Sequence, residues 1–365
     1  MQSGGFDVIV GNPPYLEVSK LKGAYSVKGY KTQSTANLYS LCSERSINLL
    51  RSNGMLSLII PLSMFATPNM RLAQNLMIAE SKSLWVSYYS NRPAQLFEGA
   101  QNFLSIFISQ KIAEKTNSTN AQLFTTKLYR WASRERSTLF QLHDFTQVDR
   151  KIGLPLYAYP KFSNSIENSI ARKLFSKKRK LSDSCRDTGP TKNWAVYCYG
   201  GVYWTKARNF DSPVLKDGVK ARSTADREFY TDGKVDPLSA VSLINSGLHF
   251  WFWTNFSDCR NKTYSVVLDM PIDSERLEND QTLVSLGRSL MIDYKSNAER
   301  KVRDGKRGRT EFDEFYPKKS KGLLDSIDRQ LAIHFDLSSD ELEFILNYEI
   351  KYRLGADDEE DDGDE

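Results

Sequence analysis

Four consecutive residues, Asn12, Pro13, Pro14 and Tyr15, combine a side-chain amide, two positions without a backbone donor and an aromatic ring. Two prolines in succession hold the backbone in an extended path and remove two amide hydrogens, so the carbonyls beside them stay free to accept hydrogen bonds. That makes a receptor for an amine. The Asn12 side-chain carbonyl and the Pro13 backbone carbonyl can take both protons of an exocyclic amino group such as that of adenine, leaving its nitrogen lone pair directed at an electrophile. Tyr15 would stack on the base. Such stacking is worth roughly 1 to 3 kcal/mol per base, against the few kcal/mol needed to extrude a nucleotide from a duplex. Two oriented carbonyls stabilise an ammonium-like nitrogen without a base of tuned pKa, so the lack of a catalytic triad does not argue against chemistry here. A Pro-Pro pair after a strand also occurs in plain turns.

Phe6-Asp7-Val8-Ile9-Val10 is a short apolar run stopped by Gly11, which predicts a strand buried in a parallel sheet with the loop at its carboxyl end. A helix is expected from Asn37 to Arg51, with Asn53-Gly54 as its stop, followed by a buried strand over Met55 to Pro61. Met70 to Glu80 reads as helix, and Leu84 to Ser90 and Phe103 to Ile108 as strands. This alternation predicts the C-terminal half of a doubly wound α/β sheet. Lys111 to Asn120 marks an exit from it, with a return by about Phe145. The expected division is a partial catalytic domain over 1–150, a mixed α+β recognition domain over 151–315, C-terminal helices over 316–355 and a disordered acidic tail over 356–365. Lys321 to Asp336 and Ser339 to Tyr348 read as helices, the second with Ser339 as N-cap.

The net charge of the 365 residues is +5, and setting aside the eight acids between Asp357 and Glu365 leaves +13, an excess that points to a polyanionic partner. Lys177, Lys178, Arg179 and Lys180 form one basic cluster, and Arg303, Lys306, Arg307 and Arg309 belong to another; each either grips phosphates or is a solvated surface. Arg260 follows Ser257-Asp258-Cys259 in a polar segment that can face DNA. Trp251, Trp253 and Phe256 read as core, Cys259 as a reduced structural cysteine and His249 as a buried, satisfied histidine. The scattered Cys42, Cys185, Cys198 and Cys259 and the three histidines lack metal-ligand spacing, so no metal site is expected. Charged or amide residues interrupt every stretch long enough to span a bilayer, so a soluble cytoplasmic protein is expected. Asp340 to Glu343 lacks the lysine of a paired-carboxylate nuclease site.

The run from Phe6 to Tyr15 resembles motif IV of the amino-methylating DNA methyltransferases, specifically the N6-adenine group of large restriction-modification methylases. Asn37-Leu38-Tyr39, Gly54 to Pro61, Leu96-Phe97-Glu98-Gly99-Ala100, Leu243-Ile244-Asn245-Ser246 with Phe250-Trp251-Phe252, Tyr316 to Lys321 and Asn347 to Arg353 extend the resemblance over most of residues 5 to 355. It implies a Rossmann-like fold, S-adenosylmethionine as cofactor and double-stranded DNA as substrate. It also implies catalytic roles for Asn12, Pro13, Pro14 and Tyr15. By the same resemblance Phe97 or Phe103 could face the flipped base from the other side, although core is the favoured reading of each.

The family carries a glycine-rich strand-to-helix turn upstream of motif IV for the cofactor, followed by an acidic residue for the ribose. Here five residues precede Phe6, and neither Tyr199-Gly200-Gly201 nor Arg303-Asp304-Gly305 has the flanking apolar strand. The resemblance therefore implies that the cofactor half lies outside this sequence, on a polypeptide encoded upstream, or that the gene is truncated, or that this is a gene fragment whose true start lies further upstream. Either case leaves Val8, Ile9 and Val10 at an exposed edge. The competing readings are a non-catalytic DNA-binding component, an inactive truncated methylase, or methylation of RNA or a protein glutamine by the same loop chemistry.

Overall fold

The computed structural model describes residues 4–355 except 22, 24–25, 100, 114–120, 142, 154–157 and 306–307. The expectations for Lys306, Arg307 and the acidic tail therefore lie outside the described residues. Two compact units are present: one holds the chain up to Asn168 together with Thr254–Asp258, the other Ser169–Trp253 and the chain from Cys259 onward.

The first unit contains β1 (Phe6–Gly11), α1 (Leu38–Leu49), β2 (Leu50–Pro61), α2 (Arg71–Glu80), β3 (Ser81–Tyr89), β4 (Leu104–Lys111), β5 (Gln122–Tyr129) and β6 (Thr146–Gln147). They build a mixed sheet in the order β1-β2-β4-β3-β5-β6. β1 pairs parallel with β2 and β3 with β5, while β4 runs antiparallel to both β2 and β3. The carboxyl ends of β1, β2, β3 and β5 thus lie along one end of the sheet, the end where ligands bind in sheets of this kind. Leu56, Leu58 and Ile60 alternate inward from β2. Beneath them Phe65 stacks on Tyr159 at 5.1 Å and meets Phe107 edge-on at 5.6 Å.

Two local expectations change. The helix does not stop at Asn53-Gly54; it passes directly into β2 at Leu50, and the pair lies within that strand. Phe6 pairs with Leu50 but Val8 with Met55, so the extra residues form a bulge. Asn53 takes a left-handed φ of 61°, and a Cβ added to Gly54 would sit 3.0 Å from the Phe6 carbonyl oxygen, so the turn-forming residues serve this bulge. β1 is indeed a strand in a parallel pair, but it is an edge, with Phe6, Val8 and Val10 at 53%, 59% and 75% exposure.

The second unit continues with α3 (Ser165–Phe175), which starts within the first, then β7 (Arg179–Lys180), β8 (Cys185–Arg186), β9 (Trp194–Cys198), β10 (Val214–Lys216), β11 (Val219–Ala221) and β12 (Asp226–Thr231). These are followed by α4 (Pro237–Asn245), α5 (Gly247–Phe256), whose residues from Thr254 onward belong to the first unit, α6 (Tyr264–Leu268), β13 (Pro271–Ile272), α7 (Ser274–Asn279), α8 (Gln281–Ser296), β14 (Glu299–Gly305) and β15 (Gly308–Glu314). α9 (Lys321–His334), α10 (Ser339–Asn347) and α11 (Ile350–Arg353) close it. Small sheets run β11-β10-β15-β14 and β8-β12-β9. Trp251, Trp253 and Phe256 are buried, as their apolar context predicts. The cap of α10 is Ser338 rather than Ser339: its hydroxyl accepts from Glu341 N and the Glu341 carboxylate returns to Ser338 N, a reciprocal box that a cap one residue later could not close. Among the described residues no helix is long and apolar enough to cross a membrane.

Candidate active site

The loop leaves β1 where Gly11 pairs with Leu58; a Cβ at Gly11 would sit 3.3 Å from the Leu58 side chain, so the two backbones run close. Asn12 and Pro14 are exposed, Pro13 and Tyr15 half-buried. The Tyr15 hydroxyl donates to the Ile59 carbonyl at 3.0 Å, tying the far end of the loop to β2. Burial pushes this phenol up to about 12, so it stays a neutral donor at every physiological pH. Its ring meets Tyr39 of α1 edge-on at 6.4 Å, and the Tyr39 hydroxyl reaches Ser63 at 3.2 Å. Among the described residues nothing is hydrogen-bonded to the Asn12 amide, which leaves it available.

The chain after Tyr15 is fastened to the start of α1. Leu38 N donates to Leu16 O, Val18 N to Ala36 O, and Glu17 bridges Asn37. Behind this ladder the buried Glu44 carboxylate accepts from Lys31 N at 3.0 Å and from the Thr32 amide and hydroxyl at 2.9 and 2.7 Å. Burial pushes the Glu44 carboxyl up, but these hydrogen bonds outweigh it and hold the group below its ordinary value. Nothing in the spacing of Glu44 announces this role; a carboxylate in the middle of a helix usually faces solvent.

Tyr15 also packs, with Ile59, Ile106 and Tyr129, against a buried cluster of Tyr89, Ala94, Leu96, Leu104, Trp131 and Leu139. Leu104 pairs with both Pro61 and Tyr89, which puts the neighbouring Phe103 at the same end of the sheet as the loop. Phe103 is half-buried and gives its carbonyl to Leu62 N, while Phe97 is 37% exposed. A further aromatic group at this end escaped the sequence reading. His143 accepts from or donates to the Tyr89 hydroxyl at 2.8 Å and lies beside Tyr129, Phe140 and Phe145, with Phe140 53% exposed. Only chain reversal after β5 brings these residues here, and no local pattern encodes it.

The basic candidates fall in the second unit, and most are engaged. Lys177 contacts Asp273 and Asp336 at 3.1 and 3.8 Å, Arg179 reaches Asp183 at 4.0 Å and Lys180 holds Asp269 at 3.0 Å, while Lys178 is exposed. Arg260 is exposed. Arg303 and Arg309 lie on the β14–β15 hairpin, where Arg309 pairs with Glu311 at 3.2 Å.

Residues 1–97 match the family described as Eco57I restriction-modification methylase. No curated protein matches the chain. Among solved structures it is similar to the ATP-dependent Type ISP restriction-modification enzyme LlaBIII bound to DNA, at 17% identity over 33% of this chain and 10% of that one, TM-score 0.26. It is also similar to a putative class I S-adenosylmethionine-dependent methyltransferase from Listeria monocytogenes, at 14% identity over 34% and 38% of the two chains, TM-score 0.23. The Type IIL restriction-modification enzyme MmeI in complex with DNA aligns at 9% identity over 96% of this chain and 57% of that one, TM-score 0.47. The chain thus spans well under two thirds of the length of each of these proteins.

Proposed function

We propose that the chain is the base-binding and sequence-reading part of a restriction-modification DNA methyltransferase that methylates the N6 amine of an adenine flipped out of double-stranded DNA. The observation that carries this reading is the loop itself: it sits at the carboxyl end of β1, is clamped at Tyr15 by Ile59 O, and offers an exposed Asn12 amide with no competing hydrogen bond. Asn12 Oδ1 and the Pro13 carbonyl accept the two amino protons, so the nitrogen lone pair is turned outward from the loop. The Tyr15 ring covers one face of the base, and Phe103 or Phe97 is available for the other.

S-adenosylmethionine would supply the electrophilic methyl. Its methionine and ribose need a cradle of close backbone amides after an apolar strand. Among the described residues the Gly200-Gly201 pair follows β9 but opens no helix, so these residues do not by themselves fit the cofactor. On this reading, cofactor binding therefore falls to a segment outside this sequence that covers β1, whether joined to the chain or carried on an upstream-encoded polypeptide. The exposed β1 edge with Phe6, Val8 and Val10 supports that assignment, since an unpaired apolar strand is a template for another strand.

Nucleosides from the genome of cells expressing the chain together with the upstream-encoded polypeptide test the reading. N6-methyladenine above the level in cells expressing the Asn12→Ala variant is the expected result, and methylation of cytosine alone would refute it. The poor fit of the described residues to the cofactor favours one second reading, a DNA-binding component without catalysis. Photocrosslinking of labelled S-adenosylmethionine to the assembled complex separates the two: label in the complex supports the enzyme, and salt-sensitive DNA binding without label supports the binder.

A further inference from the structure

A cleft of about 620 Å³ in the second unit has a wall made by one face of the β10–β15–β14 sheet. Lys216 pairs with Thr310, and Thr310 with Arg303, so these three side chains form a single row across adjacent strands. All three line the cleft, with Val214 and Phe312 beside them. Lys206, Arg208 and the segment Arg222 to Asp226 form the other side.

The lining holds five cations, Lys206, Arg208, Lys216, Arg222 and Arg303, against three carboxylates, Asp226, Asp313 and Glu314. The carboxylates are taken: Asp226 by the buried Arg208 at 2.5 Å, Glu314 by Lys206 at 2.5 Å, and Asp313 by Arg300 at 3.0 Å and the Ser212 hydroxyl at 3.1 Å. Of the other cations, Lys216 and Arg303 are exposed, and the exposed Arg222 reaches Glu228 at 3.7 Å, a loose surface pair that a phosphate can replace. Lys216 and Arg303 are two strand spacings apart, about 10 Å. They suit a chain of anions laid along the sheet, and the apolar surface of Val214 and Phe312 between them suits sugar. β14 is an edge strand with every residue exposed, so a long ligand can leave the cleft without obstruction by a further strand.

We propose that this cleft grips the phosphodiester backbone of the DNA substrate, with Lys216, Arg303 and Arg222 contacting phosphates and Thr310 donating to one of them. The assignment rests on the reading of the partner as DNA and adds where, and by what kind of contact, it is held. Contacts of this kind position the protein and carry no sequence information.

The test is equilibrium binding of fluorescent duplexes by the full chain across a salt series. A control melt of each variant checks folding, and a Lys216→Arg, Arg303→Lys double variant retains the charges. Each phosphate contact contributes about 0.9 to the slope of log K against log salt. Lys216→Ala with Arg303→Ala is expected to flatten the slope by about 1.8 and to weaken binding equally for every duplex sequence, whereas the charge-retaining pair keeps the wild-type slope. An unchanged slope in the alanine pair, with the wild type binding normally, overturns the cleft assignment and leaves the proposed function standing. Loss confined to one duplex sequence also overturns it, because that outcome means base reading. Absence of salt-dependent binding by the wild type overturns the DNA reading itself.

Discussion

The Tyr15 hydroxyl donates to the Ile59 carbonyl at 3.0 Å, across 44 residues of sequence. This one bond makes the loop a fixed feature of the sheet, because Pro13 and Pro14 stiffen the path between Gly11, paired to Leu58, and Tyr15, held one residue further along β2. Tyr15→Phe removes the bond but keeps the ring, and should cost about 0.5–1.5 kcal/mol with a modest fall in methyl transfer. Tyr15→Ala also removes the packing on Tyr39 and the Tyr89–Trp131 cluster and should reduce transfer far more. Thermal melts alongside transfer assays check the pair; equal effects of the two variants would mean the ring does nothing beyond its hydroxyl.

The Glu44 carboxylate holds Lys31 and Thr32 through three hydrogen bonds from inside α1. Glu44→Ala leaves the Thr32 amide and hydroxyl buried without an acceptor, which is expected to cost about 1–3 kcal/mol. Hydrogen exchange should then rise in the segment before α1 while β3 and β5 stay protected. Uniform loss of protection across the sheet would contradict a local anchoring role.

Exposure of Phe6, Val8 and Val10 at the sheet edge predicts self-association of the chain when it is alone. Val8→Lys with Val10→Lys should make it monomeric in sedimentation and abolish its co-purification with the upstream-encoded polypeptide. Retained co-purification would show that the partner docks elsewhere.

Burial pushes the His249 imidazole down to about 4. Its Nε2 donates to the Val267 carbonyl at 2.9 Å, and among the described residues the buried Nδ1 has no hydrogen-bond partner, so a second proton would create an unsolvated cation. The unfolded chain takes that proton near pH 6.5 and the folded one does not, so stability is lost as pH falls from about 6.5 towards 4. Between pH 7.5 and 5 the contribution is about 2 kcal/mol. His249→Gln should shrink the loss of stability over this interval, read as the difference between wild-type and variant melts. An identical pH response in both would remove His249 as its source.

The strand-loop unit from Phe6 to Tyr15, the helix over α2 and the strands β3 and β4 were legible because short apolar runs and a helical period sit beside punctuating residues. What escaped was set by distant partners. Asn53-Gly54 reads as a helix stop, yet the pairing of Phe6 with Leu50 and of Val8 with Met55 leaves it in the register shift between them. Lys177 and Lys180 read as part of a basic patch, yet Asp273 and Asp269 arrive from about 90 residues away to meet them, while Arg179 finds the local Asp183 four residues on. The hairpin of β14 and β15 was read only as a basic cluster because most of its residues face solvent and lack the alternation of a half-buried strand. The antiparallel direction of β4 is likewise a matter of connection, which composition does not encode.

Transfer of labelled methyl from S-adenosylmethionine to duplex DNA, by the chain assembled with the upstream-encoded polypeptide, tests the central claim most directly. Label recovered on the N6 of adenine, and lost with Asn12→Ala while DNA binding and the melt stay unchanged, is the result predicted by an amine receptor whose exposed Asn12 has no structural task. Undiminished transfer by Asn12→Ala, or label on any other base, would contradict it.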